Sequence, residues 1–369
     1  AKNERGKWEI PGGSVEFDHI TDPSSVVLID ADASPNATGA AVPSAGENLG
    51  KNIARLNNNN LAAFWTNSAS DPICEKSTNG GVTWSGQPAL AATTLGVAVA
   101  TNGSGTLFVA VNAGNGVGDV GYQHNATGEC SSAAYADVGL LQLDNHRPDV
   151  AYDGFRNRYW VTSMDDDDFD VDLDYTGTQA IAWVGNNSIS GAVTSTSVSI
   201  DVNDVGNVFV ASHEGAIRVY NSSSGSFTAK TTTVAYGATV QNMHLSVRGN
   251  HTLITATQSG DIVLINSSSG VVYTNVTYES TGGAVYSDAE GCIDENNNFH
   301  IVFVNGTRLA YVRYNNLSGF HNYEEFADTG TEALPSVLCT NFPANNRLTG
   351  SDLKVVFTDT GTNIYYANI

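Results

Sequence analysis

The chain has 369 residues, 41% of them apolar, with 37 glycines and only 15% charged residues. Acids outnumber bases 38 to 16, giving a formal net charge of −22, which excludes nucleic acid as a partner and disfavours an anionic membrane surface, since both need clustered Lys and Arg. No run of about 20 apolar residues is present, so the sequence holds no membrane-spanning helix.

In chain order, the opening residues AKNERGKW lack an initiator Met and read as a mature, processed terminus. Residues 1–12 are an arm carrying Lys2, Arg5, Lys7 and Trp8. Two strand-like runs follow, GSVEFDHI (13–20) and SVVLIDAD (25–32). Helix signals are then nearly absent. Short runs rich in Val, Ile, Tyr, Phe and Thr alternate with Gly, Asn, Asp and Ser turns, which is the strand signature. They fall into seven units, opening near 51, 96, 147, 198, 243, 290 and 335 with runs such as RPDVAYD, VSIDVN, HLSVRG and GCIDEN. Each opener leads through a turn into a second strand, among them LAAFWTN, NVFVASH, TLITATQ and FHIVFVN. Repeats of about 37 to 51 residues with several strands and no helix predict the blades of a propeller.

The last unit has three strands, PSVLCTN, LKVVFTD and NIYYANI, and needs a fourth. Residues 13–32 supply it, closing the ring and removing an exposed edge. The predicted fold is therefore all-β, a seven-bladed β-propeller of four-stranded blades over 13–369, closed by an N-terminal strand. Closure by a neighbouring chain, which would make a polymer, stays open.

Residues 77–84 read STNGGVTW, with Ser77, Asn79, Gly81, Thr83 and Trp84 at the spacing S-x-(D/N)-x-G-x-T-W. This resembles the Asp box of sialidase-type β-propellers. The resemblance implies a structural turn between the third and fourth strands of a blade, with Trp84 packed inward. It does not carry sialidase chemistry across. That family clamps its substrate carboxylate with three arginines, as bidentate recognition demands, and uses a Tyr/Glu nucleophile pair. The ten arginines and the tyrosines here match neither pattern.

Four cysteines, Cys74, Cys130, Cys292 and Cys339, show no zinc-ligand spacing. Of the three possible connectivities, the map of adjacent units favours Cys74–Cys130 and Cys292–Cys339, with free buried thiols as the alternative; disulfides point to an oxidising, extracellular setting. Ten N-x-S/T sequons, at Asn36, Asn102, Asn125, Asn186, Asn221, Asn250, Asn266, Asn275, Asn305 and Asn316, are candidate N-glycosylation sites. Seven of them (102, 125, 186, 221, 250, 266 and 316) map to turns that share one face of a propeller. The stretch MDDDDFDVDLDYTG (164–177) reads as a long loop. Its Asp166, Asp168, Asp170, Asp172 and Asp174 are candidate calcium ligands, since Ca²⁺ takes 6–8 oxygens. A solvated acidic loop is the plainer reading. DVNDVGN (201–207) looks similar but suits an ordinary inter-strand turn.

There is no G-x-S-x-G elbow and no H-E-x-x-H motif. His213, Glu214 and His300 lie beside strands, where structural roles prevail. The chain thus reads as a non-catalytic, secreted glycoprotein that self-assembles into a filament or surface layer through its N-terminal arm. An adhesin or lectin-like binding propeller is the second reading. A glycan-active hydrolase with two carboxylates across the central pocket is the third.

Overall fold

The computed structural model describes residues 26–30 and, with breaks at the connections, 51–368; residues 1–25, 31–50, 166–169, 224–231 and 340–352 are among those outside it. The described residues form a β-propeller of four-stranded antiparallel sheets. Seven such sheets are present, here numbered by their first strands: Ile53–Arg55, Gly96–Thr101, Asn145–Asp153, Val198–Val202, Gln241–Arg248, Tyr286–Ile293 and Glu332–Leu338. These first strands touch in that order, and the seventh touches the first again, so they line a common axis. In the seventh sheet the order is Glu332–Leu338, Lys354–Asp359, Ile364–Asn368 and then Val26–Asp30. Val26 faces Ala367 and Val27 faces Tyr366 in the antiparallel register.

Sequence pattern and packing agree for a simple reason. The middle strands of each sheet are covered on both faces by neighbouring sheets, so they read as continuous apolar runs. His251–Gln258 is buried at all but its end residues, and Phe299–Asn305 at all but its last. Among the described residues, seven apolar clusters form, each joining one sheet to the next. Leu264 and Phe303, for example, join sheets five and six. An outer strand such as Thr274–Tyr278 has one covered face and is mostly exposed.

Both expected disulfides form. Cys74–Cys130 ties sheet one to the segment after sheet two's third strand, and Cys292–Cys339 ties sheet six to the end of sheet seven's first strand, with Cα–Cα distances of 5.3 and 5.6 Å. Among the described residues no helix is long and apolar enough to cross a membrane.

The turn STNGGVTW connects Pro72–Ser77 to Ser85–Gly86, the third and fourth strands of sheet one. Ser77 Oγ accepts the Gly81 N–H at 2.8 Å, Asn79 Oδ1 accepts the Thr83 N–H at 2.9 Å, and Trp84 Nε1 donates to the Gly81 carbonyl at 3.0 Å. The turn also does something its sequence does not announce. Tyr366 of sheet seven donates its hydroxyl to the Gly80 carbonyl at 3.0 Å, and its ring lies 5.3 Å from that of Trp84. Gly81 has φ +97°, and a Cβ there would lie 2.1 Å from the Tyr366 ring. The turn needs glycine for its backbone and for the close approach that joins the last sheet to the first.

Candidate functional site: the axial channel

The first strands alternate apolar residues with short polar ones, and the polar ones face one another near the axis. Most are clasps between neighbouring sheets. Asp149 Oδ2 accepts the Ser199 hydroxyl at 2.8 Å and the Ile200 N–H at 2.9 Å. Ser199 Oγ in turn accepts the Leu245 N–H at 3.1 Å, and Asp201 Oδ2 accepts the Val247 N–H at 2.7 Å. Glu290 Oε1 accepts the Val337 N–H at 2.9 Å, and Ser336 Oγ accepts the Asn52 N–H at 3.0 Å. Each side chain thus satisfies a backbone donor of the next first strand, which has no ladder partner on that side.

Lys51 is the cation of this cluster. It is buried, donates to the Ile200 carbonyl and lies 3.7 Å from Asp201. Burial disfavours its charge, but Asp149, Asp201 and Glu290 together hold its pKa above the ordinary 10.5. Burial raises the Asp201 carboxyl, against the pull of Lys51. Glu290 is pushed from 4.5 to about 8, chiefly by burial and against its hydrogen bond from Val337. His244, 3.5 Å from Glu290, is pushed from 6.5 to about 4 by burial and then by the charge of Lys51.

These shifts make a pH prediction. Between 4.5 and about 8 the folded chain holds a proton on Glu290 that the unfolded chain releases. The Glu290 contribution to stability is therefore full below pH 4.5 and is lost as pH rises toward 8. His244 acts oppositely, with stability lost as pH falls from 6.5 toward 4. Glu290→Gln removes the first dependence and leaves the second. The stability of Glu290→Gln relative to wild type, from urea melts, is expected to rise steadily from pH 4.5 to 8. A pH-independent difference would refute the assignment.

Beside this cluster, where the first strands end, a narrow cavity of about 70 Å³ opens, room for a few waters. Its polar lining includes Lys51, Tyr152, Asp201, Asn203, Asp204 and Arg248, and Ile53, Val99, Val150, Val247 and Leu338 contribute apolar walls. The turns at this end have a repeated construction. Asn203 Oδ1 accepts the Asn207 N–H at 2.7 Å, Asp153 Oδ1 accepts the Phe155 and Arg156 N–H groups at 3.0 Å, and Asp294 Oδ1 accepts the Asn298 N–H at 2.8 Å. DVNDVGN is accordingly an Asx-stabilised turn.

The other sequence candidates are scattered. Among the sequons, Asn250, Asn275 and Asn316 are exposed, Asn102, Asn221 and Asn305 are half-buried, and Asn266 is only 4% exposed. The folded chain leaves no room for a glycan on Asn266, because it lies buried within the strand Asp261–Ser267 and not in the turn after it. Asn305 Nδ2 donates to the Tyr323 hydroxyl at 2.8 Å and to Glu325 at 3.1 Å. Asn36 and the arm residues Lys2, Arg5, Lys7 and Trp8 lie outside the described residues, as do the side chains of Asn125 and Asn186.

The long acidic loop needs correction. Val171–Thr176 is the third strand of sheet three, and Asp172 and Asp174 are buried within it at 4% and 5% exposure. The alternation V-D-L-D-Y-T is strand periodicity, which the density of aspartates masks. Asp170 is half-buried, and Asp166 and Asp168 lie outside the described residues. No group of three or more His, Cys, Asp or Glu suited to a metal ion occurs among the described residues. His300 lies 2.8 Å from the Tyr311 hydroxyl and 3.1 Å from Asp294. Glu214 accepts hydroxyls from Ser212 and Tyr220. None of these lines the axial cavity.

Sequence reasoning missed the axial set: Lys51, Asp149, Ser199, Asp201, His244 and Glu290. The signal was present as polar residues at alternate positions of openers such as VSIDVN and HLSVRG. It pointed to a shared axis only once the openers were known to converge.

No family model and no curated protein matches the chain. Many solved structures do. An α-L-arabinanase of Penicillium chrysogenum, complexed with arabinobiose, is 12% identical with a TM-score of 0.53, over 94% of this chain and 97% of that one. The polysaccharide lyase Uly1 is 9% identical with a TM-score of 0.55, over 90% and 92%. The β-propeller domain of Cps50 (Swd1) from Myceliophteria thermophila is 8% identical with a TM-score of 0.57, over 88% and 99%. At such identities the likeness is one of fold. It nonetheless overturns the reading that the chain is not an enzyme, because the arabinanase and the lyase are enzymes built on this fold. Lack of a sialidase-like pattern therefore says nothing about other carbohydrate chemistry. The filament reading finds no support in these comparisons.

Proposed function

We propose that this protein is a carbohydrate-active propeller that holds an uncharged glycan across the mouth of its axial cavity. One observation carries the reading. Carboxylates, an amide, a phenol and a guanidinium converge on one concave site at the axis, the mixture that fixes hydroxyl-rich ligands. The cavity is too narrow to enclose a sugar ring, so the glycan lies over it. The net charge of −22 repels polyanionic chains, which favours neutral polysaccharides. The fold shared with an arabinanase and a polysaccharide lyase agrees with a carbohydrate ligand, and the arabinanase with a neutral one.

Hydrolysis would draw on Asp204, the exposed carboxylate at this mouth, since cleavage of a glycosidic bond needs carboxyl groups that reach the substrate. Asp201 lines the same cavity but is buried and committed to Val247 and Lys51. In the same proposal the protein is extracellular and carries N-glycans at exposed sequons away from the mouth, such as Asn275 on an outer strand, and the seven sheets are the blades of one ring closed within the chain by Val26–Asp30.

The test is affinity electrophoresis in gels containing xylan, linear arabinan, β-1,3-glucan or polygalacturonate, with a reducing-end assay on the same substrates. At least one neutral polysaccharide is expected to retard the protein. Asp204→Ala is expected to weaken that retardation by about tenfold, the loss of one good polar contact. Absence of retardation and of cleavage on every neutral polymer would overturn the reading.

A further inference from the structure

Two exposed apolar residues border the axial cavity, and the fold does not use them. Phe155 is 70% exposed and Val205 is 58% exposed. Phe155 directly follows the cavity-lining Gly154, and Val205 directly follows the cavity-lining Asp204. They stand on the first turns of adjacent sheets three and four, at the same end of the axis. A lone exposed apolar residue needs no explanation, but an apolar rim continuous with a polar cleft is a mark of ligand-binding surface.

The rim is held in place. Asp153 Oδ1 accepts the Phe155 and Arg156 N–H groups. Arg156 NH1 donates to Asp153 Oδ2 at 2.8 Å and to the Gly206 carbonyl at 2.5 Å, and its NH2 donates to the Ser223 carbonyl at 2.7 Å. The guanidinium carbon lies 5.6 Å from the centre of the Phe155 ring. Arg156 thereby locks the turn of sheet three onto two turns of sheet four. Gly206, at φ +80°, permits the approach, since a Cβ there would meet Phe155 Cβ at 2.9 Å and the Arg156 guanidinium at 2.8 Å. These bonds fix the backbone that carries the ring, so binding to it costs less ordering than on a free loop.

We propose that Phe155, flanked by Val205, is a stacking platform for one sugar ring next to the axial cavity, and that it selects pyranose chains over furanose chains. The proposal rests on the glycan reading above and gives it a substrate class. The face of an aromatic ring is negative and attracts the weakly positive C–H groups of a sugar. A β-linked pyranose with equatorial hydroxyls offers a flat C–H face of matching size and directs its hydroxyls sideways. Those hydroxyls then reach the exposed Asp204, which lines the cavity one residue before Val205. A puckered furanose offers no such face.

Calorimetric titration with xylohexaose and with arabinohexaose separates the outcomes. Wild type is expected to bind xylohexaose more tightly than arabinohexaose. Phe155→Ala is expected to weaken xylohexaose binding roughly 5- to 10-fold, with arabinohexaose binding unchanged, while Phe155→Trp retains or improves it. Phe155 is exposed, so the melting temperature of both variants should match wild type and confirm that folding is intact. If wild type binds xylohexaose and Phe155→Ala binds it equally well, or if arabinohexaose is preferred, the platform is wrong and the glycan reading survives. If wild type binds neither oligosaccharide nor any neutral polymer, the glycan reading falls and the platform with it.

Discussion

Replacing Asp149 with alanine is expected to lower the unfolding free energy by about 3–5 kcal/mol, the scale of breaking a buried charged network. Asp149 is fully buried and accepts three hydrogen bonds, from the Ser199 hydroxyl and the Ile200 and Val150 N–H groups. Truncation leaves those donors without partners and removes one of the carboxylates that favour the charge of buried Lys51. The damage spreads because Ser199 also bonds Leu245 of sheet five, so one deletion loosens two inter-sheet seams. Urea melts would measure the loss. Asp149→Asn keeps one carbonyl oxygen as acceptor and is expected to lose less. Equal stability of Asp149→Ala and wild type would show that packing of the apolar clusters alone holds the inner strands together.

Deleting residues 1–30 is expected to cost about 3 kcal/mol or more, since Val26, Val27 and Ile29 each bury about half a side chain's worth of apolar surface. It also strips the ladder partner from Ile364–Asn368. A strand edge left bare seeks another chain, so the shortened protein should associate at rising concentration. Adding a synthetic peptide of residues 21–32 should restore both stability and monomer. A shortened protein that melts like wild type and stays monomeric would refute closure within the chain.

Much of this architecture was legible in the residues. Runs such as FHIVFVN and TLITATQ are apolar throughout because sheets cover both faces, and the turn residues between them mark every connection. The three strands of the last unit asked for a fourth, and Val26–Asp30 lies beside them. The adjacency of units also paired the cysteines as they are found. Two kinds of feature resisted. VDLDYT reads as part of an acidic loop because aspartate is a poor strand former. Tertiary burial and partners within the sheet overrode that preference. The STNGGVTW turn announced its internal hydrogen bonds but not its union with Tyr366, a residue 285 positions away from Gly81.

The sequence by itself determined the all-β repeat, because strand period, turn chemistry and apolar runs are local properties of neighbouring residues. Only the tertiary structure decided the site. Lys51 just before sheet one, Tyr152 of sheet three, Asp204 just after the first strand of sheet four and Arg248 of sheet five meet because the first strands converge on one axis. Such convergence depends on contacts between residues far apart in the chain, and no local pattern encodes which distant polar side chains will share a cavity.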